Sequence, residues 1–135
     1  MEVLPKNARI FQGILGILMI THAGYTVLHY TRFLSDVNKS LISADLESYN
    51  ILGIFLSLFP FIEFFLGALL ILALYIRKTL WCSILLFGLI VAFLALADAY
   101  TSLIICSIFF LSLVYLLVNS KGIQRPRFPK DTFYL

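Results

Sequence analysis

Residues 51–76 read ILGIFLSLFPFIEFFLGALLILALYI, an apolar run with one charged side chain, Glu63. A helix needs about 20 mostly apolar residues to cross a hydrocarbon core of roughly 30 Å, so this run is long enough to span a membrane. Three further runs have the same character, at residues 10–30, 80–97 and 102–118. None of them alternates polar and apolar residues as the strands of a membrane barrel do. The sequence therefore predicts an all-α integral membrane four-helix bundle.

The composition of the whole chain favours the same class. Of 135 residues, 61% are hydrophobic and 13% are charged, and the mean hydropathy is +1.01. A soluble domain is about half apolar and about a quarter charged, and a small one cannot bury this much apolar surface. The composition excludes a soluble globule, a disordered chain and a disulfide-stapled secreted module. We expect one membrane domain over residues 1–120 and a basic tail over residues 121–135.

The connections between the predicted helices set the orientation. Tight turns at residues 77–79 and 98–101 make neighbouring helices antiparallel, in an up-down topology, and residues 32–50 form a longer polar loop. Eight Lys and Arg residues lie on the side of the N-terminus, the first tight turn and the tail, against two on the other side. The positive-inside rule then predicts that both termini are cytoplasmic. The net positive charge of the chain thus reflects its orientation in the membrane. The sequence contains no water-exposed element that would read a nucleic-acid groove, so it does not indicate nucleic-acid binding.

The residue pattern assigns no metal site and no cofactor. Cys82 and Cys106 are predicted near opposite ends of the bundle, too far apart for a disulfide, and no C-x-x-C motif is present. His22 and His29 lie on one helix, seven residues apart, without a carboxylate close in sequence. Haem ligation by histidines from two helices is also excluded, because both lie on the first helix.

Ionisable residues inside a membrane span are costly and mark functional candidates, here His22, Glu63 and Asp98. At a rise of about 1.5 Å per residue, His22 and Glu63 both lie roughly 20 Å from the cytoplasmic face, so their depths permit a contact. The helix faces argue against it, because Glu63 lies on the small-residue face of its helix whereas His22 points nearly opposite Gly13. Glu63 is either a hydrogen-bonded acid that holds helices together or a proton-accepting or ligand-binding carboxylate.

Two interpretations are open for Asp98. It is a helix-end residue that caps the start of the fourth helix, or it joins Tyr25, His29 and Tyr49 in an outward-facing polar mouth above Glu63.

Small residues and one proline shape the predicted packing. Pro60 removes a backbone hydrogen bond and is expected to kink the helix one turn from Glu63. The freed carbonyl and Ser57 are the expected hydrogen-bonding partners of Glu63 on its own helix. Small residues let membrane helices approach closely. The glycines predicted to pack helix against helix are Gly13, Gly16, Gly24, Gly53, Gly67 and Gly88.

Two motifs resemble a known family. The first helix reads RIFQG at residues 9–13 and AGY at 23–25, and the second reads PFIEFFLGALL at 60–70. This pattern resembles the DoxX-like superfamily, including its MauE branch, over about half of the chain. The family often has a lysine soon after its Ala-Gly pair, and this chain does not. The family-type positions here are Arg9, Gly13, Gly24, Glu63 and Gly67.

The resemblance implies a link to redox systems, either thiosulfate–quinone oxidoreduction or the maturation of periplasmic redox enzymes. It also implies a location in a bacterial inner membrane. The leading hypothesis is a non-catalytic accessory subunit or assembly factor that binds protein partners of a membrane-associated redox complex. The alternative is a quinone- or proton-handling component that uses Glu63, with His22 and Asp98 on the outer path; quinone is then the one cofactor expected. A small transporter or channel subunit is a third hypothesis.

Overall fold

The structure, a computed structural model, describes residues 5–45 and 50–120, and within these ranges it contains five α-helices and no strand. The helices are α1 (Lys6–Leu28), α2 (Tyr30–Ser43), α3 (Asn50–Ile71), α4 (Ile76–Leu96) and α5 (Tyr100–Ser120). All except α2 are long and apolar enough to cross a membrane. The predicted all-α membrane bundle is confirmed, whereas the predicted basic tail at 121–135 lies outside the described residues.

The segment expected to be a polar loop is in large part the helix α2. Its apolar residues recur at helical spacing, and Val37 and Leu41 pack against the core while Lys39, between them, is exposed. At its start, the Tyr30 hydroxyl donates a hydrogen bond to the Ser57 carbonyl at 2.9 Å. The prediction of a loop is wrong here because α2 is short and amphipathic, so its mean hydropathy does not distinguish it from a loop.

The turn between α3 and α4 lies at residues 72–75, before the basic residues at which the sequence predicts it. Ala73 has φ 55°, in the left-handed region, and the Leu74 N–H donates to the Leu69 carbonyl at 3.2 Å. This is the geometry with which many helices end, although glycine is the usual residue at the left-handed position. Because alanine occupies it here, the apolar run continues through the turn, and Arg77 lies in the first turn of α4.

The four spanning helices form two tightly packed antiparallel pairs, α1 with α3 and α4 with α5, and smaller contacts of α3 with α4 and α1 with α5 join them. Aromatic rings fill the centre: Phe59 meets Phe87 edge-on at 5.5 Å between ring centroids, and Phe87 meets Phe109 at 5.7 Å. We call the end of the bundle with Lys6 and Ser120 the terminal end, and the opposite end the α2 end.

The backbones of α1 and α3 touch at Gly16 and Gly67. A Cβ atom added to either glycine would lie 3.0 Å from the carbonyl oxygen of the other, so no larger residue fits without separating the helices. The other predicted packing glycines have more room. An added Cβ would make ordinary contacts at Gly53 and Gly88, and at Gly13 and Gly24 it would meet no described atom within 4 Å.

Candidate functional site

The structure brings together two of the three ionisable residues that the sequence singles out. His22 Nδ1 lies 2.9 Å from Glu63 Oε1 and 3.2 Å from Glu63 Oε2. His22 belongs to α1 and Glu63 to α3, so the contact joins two membrane-spanning helices. We call these two side chains the His22–Glu63 pair. The prediction that both residues lie at the same depth, and so can touch, agrees with this contact.

The argument from helix faces is wrong, because it places the packed face of α1 relative to Gly13. The structure centres that face on Gly16 and Met19, and Met19 is completely buried. At about 100° per residue, His22 lies only about 60° from Met19 around the helix. Its side chain therefore reaches α3 beside the close glycine contact.

The two members of the pair differ in their access to the surroundings. The Glu63 side chain is 1% exposed and the His22 side chain is 33% exposed. Phe109 of α5 covers part of the imidazole, with 5.6 Å between ring centroids. Nε2 forms no hydrogen bond with any side chain or carbonyl in residues 5–45 and 50–120. Of the two side chains, the histidine is thus the one accessible from outside the bundle, and the carboxylate is enclosed.

Ser57, which the sequence suggests as a hydrogen-bonding partner of Glu63, is engaged elsewhere. The Ser57 hydroxyl donates to the Gly53 carbonyl at 2.7 Å, and the Ser57 carbonyl accepts the hydrogen bond of Tyr30. Pro60 is buried, and α3 runs through it without a break in the helix. The partner of the carboxylate is thus a side chain of another helix.

Asp98 lies apart from the His22–Glu63 pair, at the end of α4. It is exposed, its φ of 54° is left-handed, and its Oδ1 accepts a hydrogen bond from the Tyr100 hydroxyl at 3.3 Å. It therefore ends α4, and it is not the side-chain cap expected for the next helix. Tyr25 and His29 are also exposed and lie against each other, with 4.4 Å between ring centroids. Tyr49, the fourth member of the predicted polar mouth, lies outside the described residues.

Sequence reasoning missed a buried polar residue, Gln12, because its side chain is not ionisable. Gln12 Nε2 donates to the Leu70 carbonyl at 2.5 Å, close to the end of α3. Its Oε1 and the Ser83 hydroxyl are buried without a hydrogen-bond partner among the described residues. A sequence signal existed, since Gln12 shares a helix face with Gly16, Met19 and Ala23 at spacings of four, three and four.

No family model, no curated protein and no solved structure matches this chain.

The described residues contain no group of three or more His, Cys, Asp and Glu side chains that could hold a metal ion. Cys82 is exposed and Cys106 is buried, and they are not joined.

An apolar groove of about 620 Å³ lies between α3 and α4, towards the α2 end. It offers no polar side chain, so it suits the hydrocarbon part of a ligand and not a polar head. It is lined by Ile51, Leu52, Phe55, Leu56, Leu89, Ile90 and Phe93.

The chemistry available to the His22–Glu63 pair is the storage of one proton. Either Nδ1–H donates to the carboxylate, as imidazolium and carboxylate, or the protonated carboxyl group donates to Nδ1. Both arrangements are neutral overall, whereas losing or adding a proton leaves a net charge inside the span. An isolated charge there costs several kcal/mol, about 2.5–3.5 kcal/mol on insertion scales. The state of the pair that holds one proton is therefore favoured within the span.

Proposed function

We propose that this small integral membrane protein handles protons within the bilayer, with the His22–Glu63 pair as the proton-binding group. The observation that carries this proposal is the 2.9 Å contact between an enclosed carboxylate and a ring that is one-third exposed. A contact that only held the helices together would need no access from outside. The open side of His22 is what a proton-exchanging group requires.

A quinone is the carrier class that the resemblance to the DoxX-like superfamily favours for this proton. A quinone oxygen accepts a hydrogen bond and takes up a proton on reduction, and its tail is soluble in the hydrocarbon core. His22 Nε2 has no hydrogen-bond partner among the described residues, and the side chain that carries it is 33% exposed. The asymmetry of Lys and Arg supports a cytoplasmic terminal end. The resemblance to the DoxX-like superfamily supports a bacterial inner membrane.

The test of proton binding is an infrared titration of the protein in lipid bilayers. We expect a carboxyl C=O band that titrates together with imidazole bands. Glu63→Gln removes the carboxyl band, and His22→Gln shifts its titration. Asp98→Asn, which changes an exposed carboxylate, serves as the matched control and leaves the band unchanged. If no titrating band depends on Glu63, proton handling by this residue is excluded.

A second candidate function is that of an accessory subunit or assembly factor of a redox complex. The outward face of α1, which carries two small residues, favours this function. Gly13 and Gly24 lie within about 20° of each other around the helix, and neither has a described neighbour at the position of a Cβ atom. Small residues on a membrane helix allow a helix of another protein to approach closely. The same chain can serve both roles.

Purification in a mild detergent followed by mass spectrometry tests the accessory role. We expect a heteromeric complex that Gly13→Ile disrupts. The control, Ile17→Leu, changes an exposed apolar residue of α1 without adding bulk and leaves the complex intact. Recovery of the wild-type chain only as a monomer or homo-oligomer contradicts this role.

A further inference from the structure

The surroundings of the His22–Glu63 pair differ between the two ends of the bundle. Towards the terminal end, the interface of α1 and α3 is closed by the contact of Gly16 with Gly67. Met19 and Leu70 are completely buried in the same interface. These side chains are apolar, and the glycine backbones leave no space between the helices. The buried amide of Gln12 lies on the terminal side of this glycine contact. Between the glycine contact and the His22–Glu63 pair, the interface therefore offers water and protons no polar route.

Towards the α2 end, polar side chains continue along the face of α1 that carries His22. Thr26 and His29 follow at spacings of four and three residues, which places all three on one side of the helix. Exposure increases along this line, because His22 and Thr26 are half-buried and His29 is exposed. The Thr26 hydroxyl donates to the His22 carbonyl at 2.9 Å, so its lone pairs remain available as acceptors.

The distances along α1 favour the same direction. His29 is seven residues from His22, about 10 Å along the helix axis, and Arg9, on the other side, is thirteen residues away, about 20 Å. Beyond His29, the exposed charged residues of α2 mark a polar surface, among them Arg32 and Asp36.

We infer that the pair exchanges its proton with the α2 end only, along the line His22–Thr26–His29. This inference rests on the proposed proton-handling function and adds the side of the membrane from which the proton enters. Among the described titratable groups, His22 and Glu63 act on each other, and Cys106 of α5 lies within range of the Glu63 charge. No charged group of the terminal end that the structure describes lies on this line.

Cysteine accessibility in oriented vesicles tests the direction. In a Cys82→Ser, Cys106→Ala background, Thr26→Cys and His29→Cys are exposed to a charged, membrane-impermeant thiol reagent, added to one side at a time. A tag on the N-terminus marks the terminal side. We expect both cysteines to react from the α2 side and neither from the terminal side. Leu18→Cys, at an exposed apolar position of the α1 span nearer the terminal end, is expected to react from neither side.

Reaction of Thr26→Cys from the terminal side, or from neither side, overturns the inference. The result does not depend on proton chemistry, so it is distinct from the infrared titration. A titrating Glu63 with an unreactive Thr26→Cys refutes the path alone. A reactive Thr26→Cys with a non-titrating Glu63 refutes the proposed function and leaves an aqueous path without a role.

Discussion

Replacing His22 by leucine leaves the enclosed Glu63 side chain, which is 1% exposed, without its partner. Breaking a buried ion pair from one side costs about 3–5 kcal/mol in soluble proteins. In a membrane the protonated acid relieves part of that cost, and interhelical hydrogen bonds there contribute about 0.6–1.7 kcal/mol. We therefore expect His22→Leu to lower the free energy of unfolding by about 2 kcal/mol, between these two limits.

Replacing Glu63 instead of His22 has a smaller effect on the free energy of unfolding, because His22 is 33% exposed and can turn outward. Glu63→Leu is expected to lower the free energy of unfolding by about 1 kcal/mol. Replacing both residues removes both unpaired groups, so the double variant should lie within about 1 kcal/mol of the wild type. The coupling energy between the two positions is then about 2 kcal/mol.

Reversible unfolding in mixed micelles measures all four proteins of this cycle. His29 and Asp98 provide the matched control cycle, since no hydrogen bond joins them in the described structure. Their leucine variants should be additive. Additivity within about 0.5 kcal/mol for His22 and Glu63 as well would refute a direct contact between them.

Three further substitutions, and one control variant, test the packing. Gly16→Ala should lower the free energy of unfolding by about 1–3 kcal/mol, because the added Cβ lies 3.0 Å from a backbone oxygen of α3, and Gly13→Ala should change it by less than about 1 kcal/mol in the same micelle assay. Tyr30→Phe removes the hydrogen bond to Ser57, so we expect a loss of about 1 kcal/mol and faster amide exchange in α2, with unchanged exchange in α5 as the internal control. Ala73→Gly should raise the thermal midpoint, by a gain of about 0.5–1 kcal/mol, since glycine adopts the left-handed φ of 55° without strain; a lower midpoint contradicts this reading of the turn.

The four membrane spans could be predicted from the sequence because the bilayer imposes a length and a hydropathy on every spanning helix. No such constraint acts on α2, because its polar face meets surroundings that are compatible with a loop as well as with a helix. Its helical signal is the spacing of a few apolar residues, among them Val37 and Leu41. The predicted position of the turn after α3 is wrong for a related reason, because Ala73 ends the helix without the glycine that usually marks such an end.

The candidate site could be predicted in its residues and depth but not in its geometry. Counting residues from the charged helix ends gives the depth, and this placed His22 and Glu63 level with each other. The direction of each side chain depends on which face of α1 meets α3, and several glycines compete for that face in the sequence. The structure selects Gly16, where the backbones touch, over Gly13, and this choice turns His22 towards Glu63.

The most direct test of the central claim is a carbon–nitrogen distance measured by solid-state NMR in lipid bilayers. The labels are the side-chain carboxyl carbon of glutamate and Nδ1 of histidine. Because the two oxygens of Glu63 lie 2.9 and 3.2 Å from His22 Nδ1, we predict a strong dipolar contact between these two nuclei. The contact disappears in Glu63→Gln and persists in His29→Leu. Its absence from the wild-type protein in bilayers would contradict the existence of the pair and the proton-handling function built on it.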